Sequence, residues 1–205
     1  MPTACKRLLV LPMVGLLLVL TAGARTASAD TITLNQSNGF DGPGPFGQVV
    51  TTLVGSSINV VVSMFDGFRM FGDFGFNVVD PDAGVAVTSV ASVGGGPWSY
   101  VPGGVHLDGF GNFEFDIAGP AQGNSQTTQL SFTVSRTAGF TSASQLNELS
   151  TGGTPAFFAT HASLNGNTGF VGGGGGPVVP EPATMSLFAA GLAFVGRAYR
   201  RRKQI

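Results

Sequence analysis

Cysteine is almost missing from this chain: Cys5 is the only one in 205 residues, and it sits ahead of a leader-like apolar run. Once that leader is removed no thiol remains, which excludes disulfides, thiol nucleophiles and thiolate metal sites. Basic residues are nearly as scarce in the middle. Between Asp30 and Gly176 only Arg69 and Arg136 stand against ten acids, so this stretch is eight units negative although the whole chain is near neutral. A nucleic-acid partner needs a basic footprint and is excluded on that ground. His106 and His161 are the only histidines, and neither has neighbours at metal-ligand spacing. No Gly-x-Ser-x-Gly elbow is present for a serine triad, and no fixed-period repeat runs through the chain. Long hydrophobic runs are absent too. The longest, Leu8–Leu20 and Ala183–Val195, have 13 residues each, against about 20 for a full bilayer span.

What is there begins with the two ends. Lys6 and Arg7 precede Leu8–Leu20, and Ala27-Ser28-Ala29 supplies small residues for cleavage. This is the pattern of a secretory signal peptide over residues 1–29, cut by signal peptidase to start the mature chain at Asp30. At the other end, five glycines (Gly172–Gly176) lead into Pro177-Val178-Val179-Pro180-Glu181-Pro182-Ala183-Thr184. An apolar stretch and the basic cluster Arg197, Arg200, Arg201, Arg202 and Lys203 follow. As a helix, 13 residues span about 20 Å, a marginal anchor for a core of about 30 Å. The basic cluster acts as a membrane stop that stays cytoplasmic. Pro180 and Pro182 hold the motif between them extended, as a protease substrate must be.

This tail resembles the PEP-CTERM signal of bacterial exported proteins. The resemblance implies that the membrane peptidase exosortase reads Pro180, Glu181 and Pro182 and cleaves the chain nearby. It also implies a Gram-negative envelope, a transient anchor in the inner membrane through a short C-terminal transmembrane helix, and an association with exopolysaccharide. The expected organisation is a signal helix at 1–29, a β domain at 30–171, a glycine-rich linker at 172–179 and a sorting segment at 180–205.

The middle is rich in Gly, Ser, Thr, Val and Phe, with alternating β-branched runs parted by Gly/Pro/Asp clusters. That pattern predicts strands at Thr31–Leu34, Gln48–Val54, Ser57–Met64, Phe74–Val79, Val85–Ser92, Asn112–Ile117, Gln129–Ser135, Ala156–Leu164 and Gly169–Val171. Gly55-Ser56 reads as a hairpin turn and Asp80–Gly84 as a second turn. A helix is predicted over Ser142–Ser150, capped by Ser142 with Gln145 and closed by Gly152. The fold class is therefore all-β, an antiparallel two-sheet sandwich or jelly roll. Val60, Val62 and Met64 should share one face. Phe113 and Phe115 should point inward, with Asn112, Glu114 and Asp116 in water.

Gly44–Val49, Asp108–Ile117, Leu130–Val134, Phe157–Ala162 and Asn167–Val171 resemble phrases of a small group of PEP-CTERM proteins. That group implies a β-sandwich and no defined reaction.

Candidate sites follow from residue type. His161 is expected to be a structural, hydrogen-bonded imidazole. Asp80, Asp82, Asp108, Asn112 and Asp116 carry oxygens that calcium could use, but their spacing fits no EF-hand, so solvated turns are preferred and no metal or other cofactor is expected. Phe65, Phe68, Phe71 and Phe74 recur every third residue, which suits neither strand nor helix and predicts a loop. With Trp98 and Tyr100, Phe68 and Phe71 form a candidate glycan contact, weighed against the simpler reading that these rings plug the core. Three functions remain open: a non-enzymatic cell-surface or biofilm-matrix protein, which is preferred; a glycan-binding module; and a glycan hydrolase using two of Asp108, Glu114 and Asp116, since such chemistry needs paired carboxylates.

Overall fold

The computed structural model describes residues 28–42, 44–81, 84–120 and 126–174. Residues 1–27 of the expected signal peptide, the sorting tail and Asp82 lie outside the described residues. The described residues form thirteen strands and one 3-10 turn: β1 (Ala29–Leu34), β2 (Gln36–Asn38), β3 (Gly47–Val54), β4 (Ser57–Met64), β5 (Arg69–Phe76), β6 (Ala86–Val93), β7 (Ser99–Val101), β8 (Val105–Leu107), β9 (Gly111–Phe113), β10 (Phe115–Ala118), β11 (Gln129–Ser135), the 3-10 turn Ala143–Leu146, β12 (Phe158–Leu164) and β13 (Asn167–Gly173). Five strands pair in the order β1-β3-β4-β11-β6 and six in the order β2-β13-β12-β5-β10-β7, while β8 and β9 form a separate hairpin. Every pairing is antiparallel.

The two large sheets share one core. Ile32, Leu34, Val49, Ile58, Val60, Val62, Leu130, Phe132 and Val134 come from the five-stranded sheet; Met70, Phe74, Phe76, Ile117, Phe158 and Val171 come from the six-stranded sheet. Strict alternation explains the inner faces: β11 reads half-buried, buried, half-buried along its length, and Val60 and Val62 are sealed while Asn59 is exposed. Rings fill the gap between sheets, with Phe74 edge-on to Phe132 at 5.8 Å and Phe76 tilted against Phe132 at 5.4 Å. Such pairs add to the burial of area itself.

Four expectations are corrected. Phe65–Phe76 is not a loop. Most of it is β5, a central strand, and Gly72 is the reason: at φ +68 it opens a bulge that gives β5 two extra residues against β12, between the Thr160–Phe74 and Ala162–Met70 pairs. An insertion of two residues keeps the phase, so Phe68, Met70, Phe74 and Phe76 lie on the inner side and Phe71 on the outer one, and a spacing of three moves the rings from face to face. Asn112–Ile117 is not one strand. It breaks at Glu114, whose backbone N–H donates to Asn77 Oδ1 at 2.7 Å, so that β9 belongs to the small hairpin and β10 to the large sheet. The predicted helix is a single 3-10 turn. Its Ser142–Gln145 capping box is present as expected, but the turn ends at Leu146 with Asn147 as cap rather than running on to Gly152. Finally, the glycine run does not start as a linker. Gly172 and Gly173 are buried residues of β13, because a Cβ on Gly172 would stand 2.5 Å from the Phe110 ring and one on Gly173 2.2 Å from the Thr33 carbonyl oxygen.

Candidate functional site

The inner face of the six-stranded sheet is spent on the core, so chemistry is to be sought on its outer face. There the β8–β9 hairpin lies over the sheet with a small core of its own, built from Leu107, Phe110, Phe113, Ala156 and Ala159. The sheet makes room with glycine. Gly75 leaves space for the Phe113 ring, which would be 2.7 Å from an added Cβ, and Gly172 does the same for Phe110. The segment after the 3-10 turn clamps the hairpin. Ser150 Oγ donates to the Phe110 carbonyl at 2.7 Å, and Asn112 and Thr151 exchange backbone hydrogen bonds of 2.7 and 3.2 Å.

Beside this hairpin, three adjacent strands present polar groups outward: Asp116 from β10, Asp73 from β5 and His161 from β12. Register places them. Asp116 is opposite Gly75 and Ala118 is opposite Asp73, so the two aspartates are diagonal neighbours on one face; such neighbours are roughly 7–8 Å apart at Cα. Asp116 is only 5% exposed, and its Oδ1 is buried with no hydrogen-bond partner. Burial, and after it the negative charge of Asp73, push its carboxyl up to about 7. His161 is stacked between two rings, 3.9 Å from Phe71 and 4.4 Å from Phe170 between centroids. Burial lowers its pKa, with Asp73 pulling the other way. The imidazole has the structural role expected for it, held by stacking on these two rings.

The structure scatters the other anticipated residues. Trp98 (6% exposed), Phe68 (9%) and Phe71 (5%) are buried. Trp98 and Phe68 belong to the main core, Tyr100 is half-buried against it, and Phe71 faces the opposite side of the sheet on His161. Phe68 meets Phe40 and Phe46 edge-on at 5.0 and 5.3 Å at one end of the sandwich. No flat exposed platform unites the four rings, which corrects the proposed glycan contact in favour of core packing. Asp116 is corrected likewise: it does not alternate with Glu114 in water, but is buried while Glu114 is exposed. Asp108, Asn112 and His106 are exposed on the hairpin, and no set of three His, Cys, Asp or Glu is placed to hold a metal among the described residues. Sequence reasoning missed Asp73. Its signal was there, in that it precedes by one residue Phe74, which faces inward.

Ala29 and Asp30 of the expected signal-cleavage site lie in β1, paired with Thr52 and Thr51. The carbonyl of Ser28, also in that site, accepts from the Leu53 N–H at 2.9 Å. Pro180, Glu181, Pro182 and the basic stop at Arg197, Arg200, Arg201, Arg202 and Lys203 lie outside the described residues, as do both expected helices. No helix among the described residues is long and apolar enough to cross a membrane. Comparison of the chain with known families matches residues 178–203 to the PEP-CTERM protein-sorting motif. The chain carries a PEP-CTERM sorting signal. The match spans the Pro180-Glu181-Pro182 triplet, the apolar stretch and the whole basic cluster. PEP-CTERM signals direct exported proteins to exosortase, so export and exosortase processing follow for this chain. No curated protein and no solved structure matches it.

Proposed function

We propose that the β domain is a non-catalytic component of the cell surface and extracellular polysaccharide layer of a Gram-negative bacterium. Signal peptidase frees it at its first strand, and the tail then anchors it briefly in the inner membrane. Exosortase releases it from that anchor. The single observation behind this reading is the PEP-CTERM motif at 178–203, which starts four residues after the end of the described fold at Gly174. The character of the domain supports it. The large aromatics are buried, Asp116 is buried while Asp108 and Glu114 are exposed, and the acid-rich surface suits solubility in a hydrated neutral matrix.

Mass spectrometry of the mature termini tests the proposal, in cells with and without the sorting peptidase. In competent cells the mature protein should lack the Arg197–Lys203 cluster and co-fractionate with exopolysaccharide. In cells without the peptidase it should keep the cluster and stay with the inner membrane. Persistence of the basic end in competent cells overturns the processing; release of free protein with no polysaccharide association overturns the matrix role.

A further inference from the structure

Where β1 starts, the five-stranded sheet gathers buried oxygens that lack a donor. Asp30, the first residue of the expected mature chain, is only 7% exposed. Alternation along β1 turns it inward with Ile32 and Leu34. Its Oδ2 accepts from the Asn147 side-chain amide at 3.3 Å, and Oδ1 of that amide is buried with no hydrogen-bond partner. Thr51 is opposite Asp30 in the ladder and fully buried, and its Oγ1 is unpartnered as well. Opposed residues of a sheet share a face, so this hydroxyl lies on the same inner side as the Asp30 carboxylate. The elements packed here supply no basic side chain. β3, β13 and the 3-10 turn carry no ionisable residue. Glu148, next to Asn147, and Asp80 near it add only negative charge. Arg69 opens β5 in the other sheet, and Arg136 donates to the carbonyls of Gly139 and Val79 at 2.9 and 3.2 Å. A carboxylate withdrawn from water needs a positive partner.

The chain makes one when its leader is removed. Water adds across the Ala29–Asp30 peptide bond: the carboxylate leaves with Ala29, and the amine, protonated, stays on Asp30. In the uncut chain the Ser28 carbonyl accepts from the Leu53 N–H at 2.9 Å, so the next bonded pair of the ladder is Asp30 with Thr51. The Asp30 nitrogen therefore keeps one hydrogen for the Thr51 carbonyl and gains two more beside its own carboxylate. We infer that the α-ammonium created by signal peptidase is the built-in counter-ion of Asp30, with Asn147 Oδ1 and Thr51 Oγ1 sharing its remaining hydrogens. Removal of the leader exchanges the Ser28–Leu53 ladder bond for an ion pair on the edge strand β1. This rests on the processing proposed above. Pairing holds the amine above its ordinary value of about 8. A group raised on folding contributes stability below its unfolded value and loses it as pH rises through the folded one. The contribution is therefore full at pH 6.5 and gone at pH 10.

The test uses the purified exported protein. The only lysines of the chain, Lys6 and Lys203, leave with the signal peptide and the sorting tail, so the α-amine is the sole amine open to an acetylating reagent. The acetyl group takes the place of the Ala29 carbonyl, which the fold already accommodates in β1. Mass spectrometry first locates the terminus. A start at any residue but Asp30 overturns the inference together with the cut after Ala29, and leaves the exosortase reading intact. With a start at Asp30, urea unfolding compares free and acetylated protein for wild type and Asp30→Asn. Acetylation should lower the folding constant of wild type about tenfold at pH 6.5, as one unit of pKa does, and leave it unchanged at pH 10. Asp30→Asn should show no difference at either pH. Equal stability of free and acetylated wild type at pH 6.5 overturns the ion pair while the cleavage reading stands. A loss that persists in Asp30→Asn overturns it too, placing the partner of the amine elsewhere.

Discussion

The two faces of β5, β10 and β12 are built on opposite plans. Inside, Phe74, Phe76, Ile117 and Phe158 meet the other sheet in an apolar seal. Outside, glycines open hollows for Phe110 and Phe113 of the hairpin, and at its margin Asp73 and His161 are half-buried and Asp116 is buried. The inner face shows what alternation does: every second residue adds apolar area to a common core. The outer face shows what cover does to polarity. The same strands that would carry solvated acids carry one acid withdrawn from water. A patch that would be inert in the open thereby acquires a shifted proton.

Deleting a ring from each face gives the largest expected effect. Phe74→Ala should cost about 3–5 kcal/mol of stability, as buried Phe→Ala changes do. Phe113→Ala, in the smaller cluster, should cost less. Urea unfolding of both variants measures the difference, and equal losses would erase the distinction between a principal and a subsidiary core.

Next comes pH. Asp116 has a folded value of about 7 against an ordinary 3.8. The native state therefore holds a proton that the unfolded chain has lost between those values, and stability falls as pH rises from about 4 to 7. The full loss is at most about 4 kcal/mol. Urea titrations at pH 5 and pH 8 should show it, and Asp116→Asn should flatten it. His161 carries the opposite sign. Its folded value is lowered, so its contribution is lost as pH falls through the ordinary histidine range near 6.5. An NMR titration of its ring should give a midpoint below that value; a midpoint above it would mean that Asp73, not burial, governs the outer face.

Filling a hollow is a subtler attack. Gly75→Ala puts a methyl 2.7 Å from the Phe113 ring and should cost roughly 1–3 kcal/mol. Much of that loss should return when Phe113→Leu is added. A double-mutant cycle with no coupling would show that the hairpin does not rest on the sheet as described.

The smallest expected effect lies away from both faces. Ser142→Ala removes the side chain that accepts from the Ser144 N–H at 3.2 Å. It should cost about 1 kcal/mol, read as a shift in the urea midpoint, and it should leave the outer-face pH dependence untouched.

How much of this was legible depended on how local the cause was. The segments Gln48–Val54, Ser57–Met64 and Gln129–Ser135 were readable to within a residue, because alternation and a Gly55-Ser56 turn carry their own period. β2, β7 and β8 were missed, since three residues hold too little of any period. The phenylalanine stretch was misread because a spacing of three puts Phe71 on the opposite face from Phe68 and Phe74, and no single-face period reports that. The candidate site was half visible. Asp116 was named, but its partner Asp73 and its burial were not, and the aromatic contact at Trp98, Tyr100, Phe68 and Phe71 dissolved into packing.

Taken alone, the sequence determined that the chain is exported and sorted, that its body is antiparallel β, and that this body is acidic and free of thiols. These follow from composition, from short-range period and from a contiguous motif, none of which needs a distant partner. Tertiary structure alone decided which glycines are strand rather than spacer, which rings are core rather than contact, and which acid is dry. Each of those depends on what another part of the chain places within a few ångströms. A hydrophobic period cannot report whether a hairpin from elsewhere lies on top.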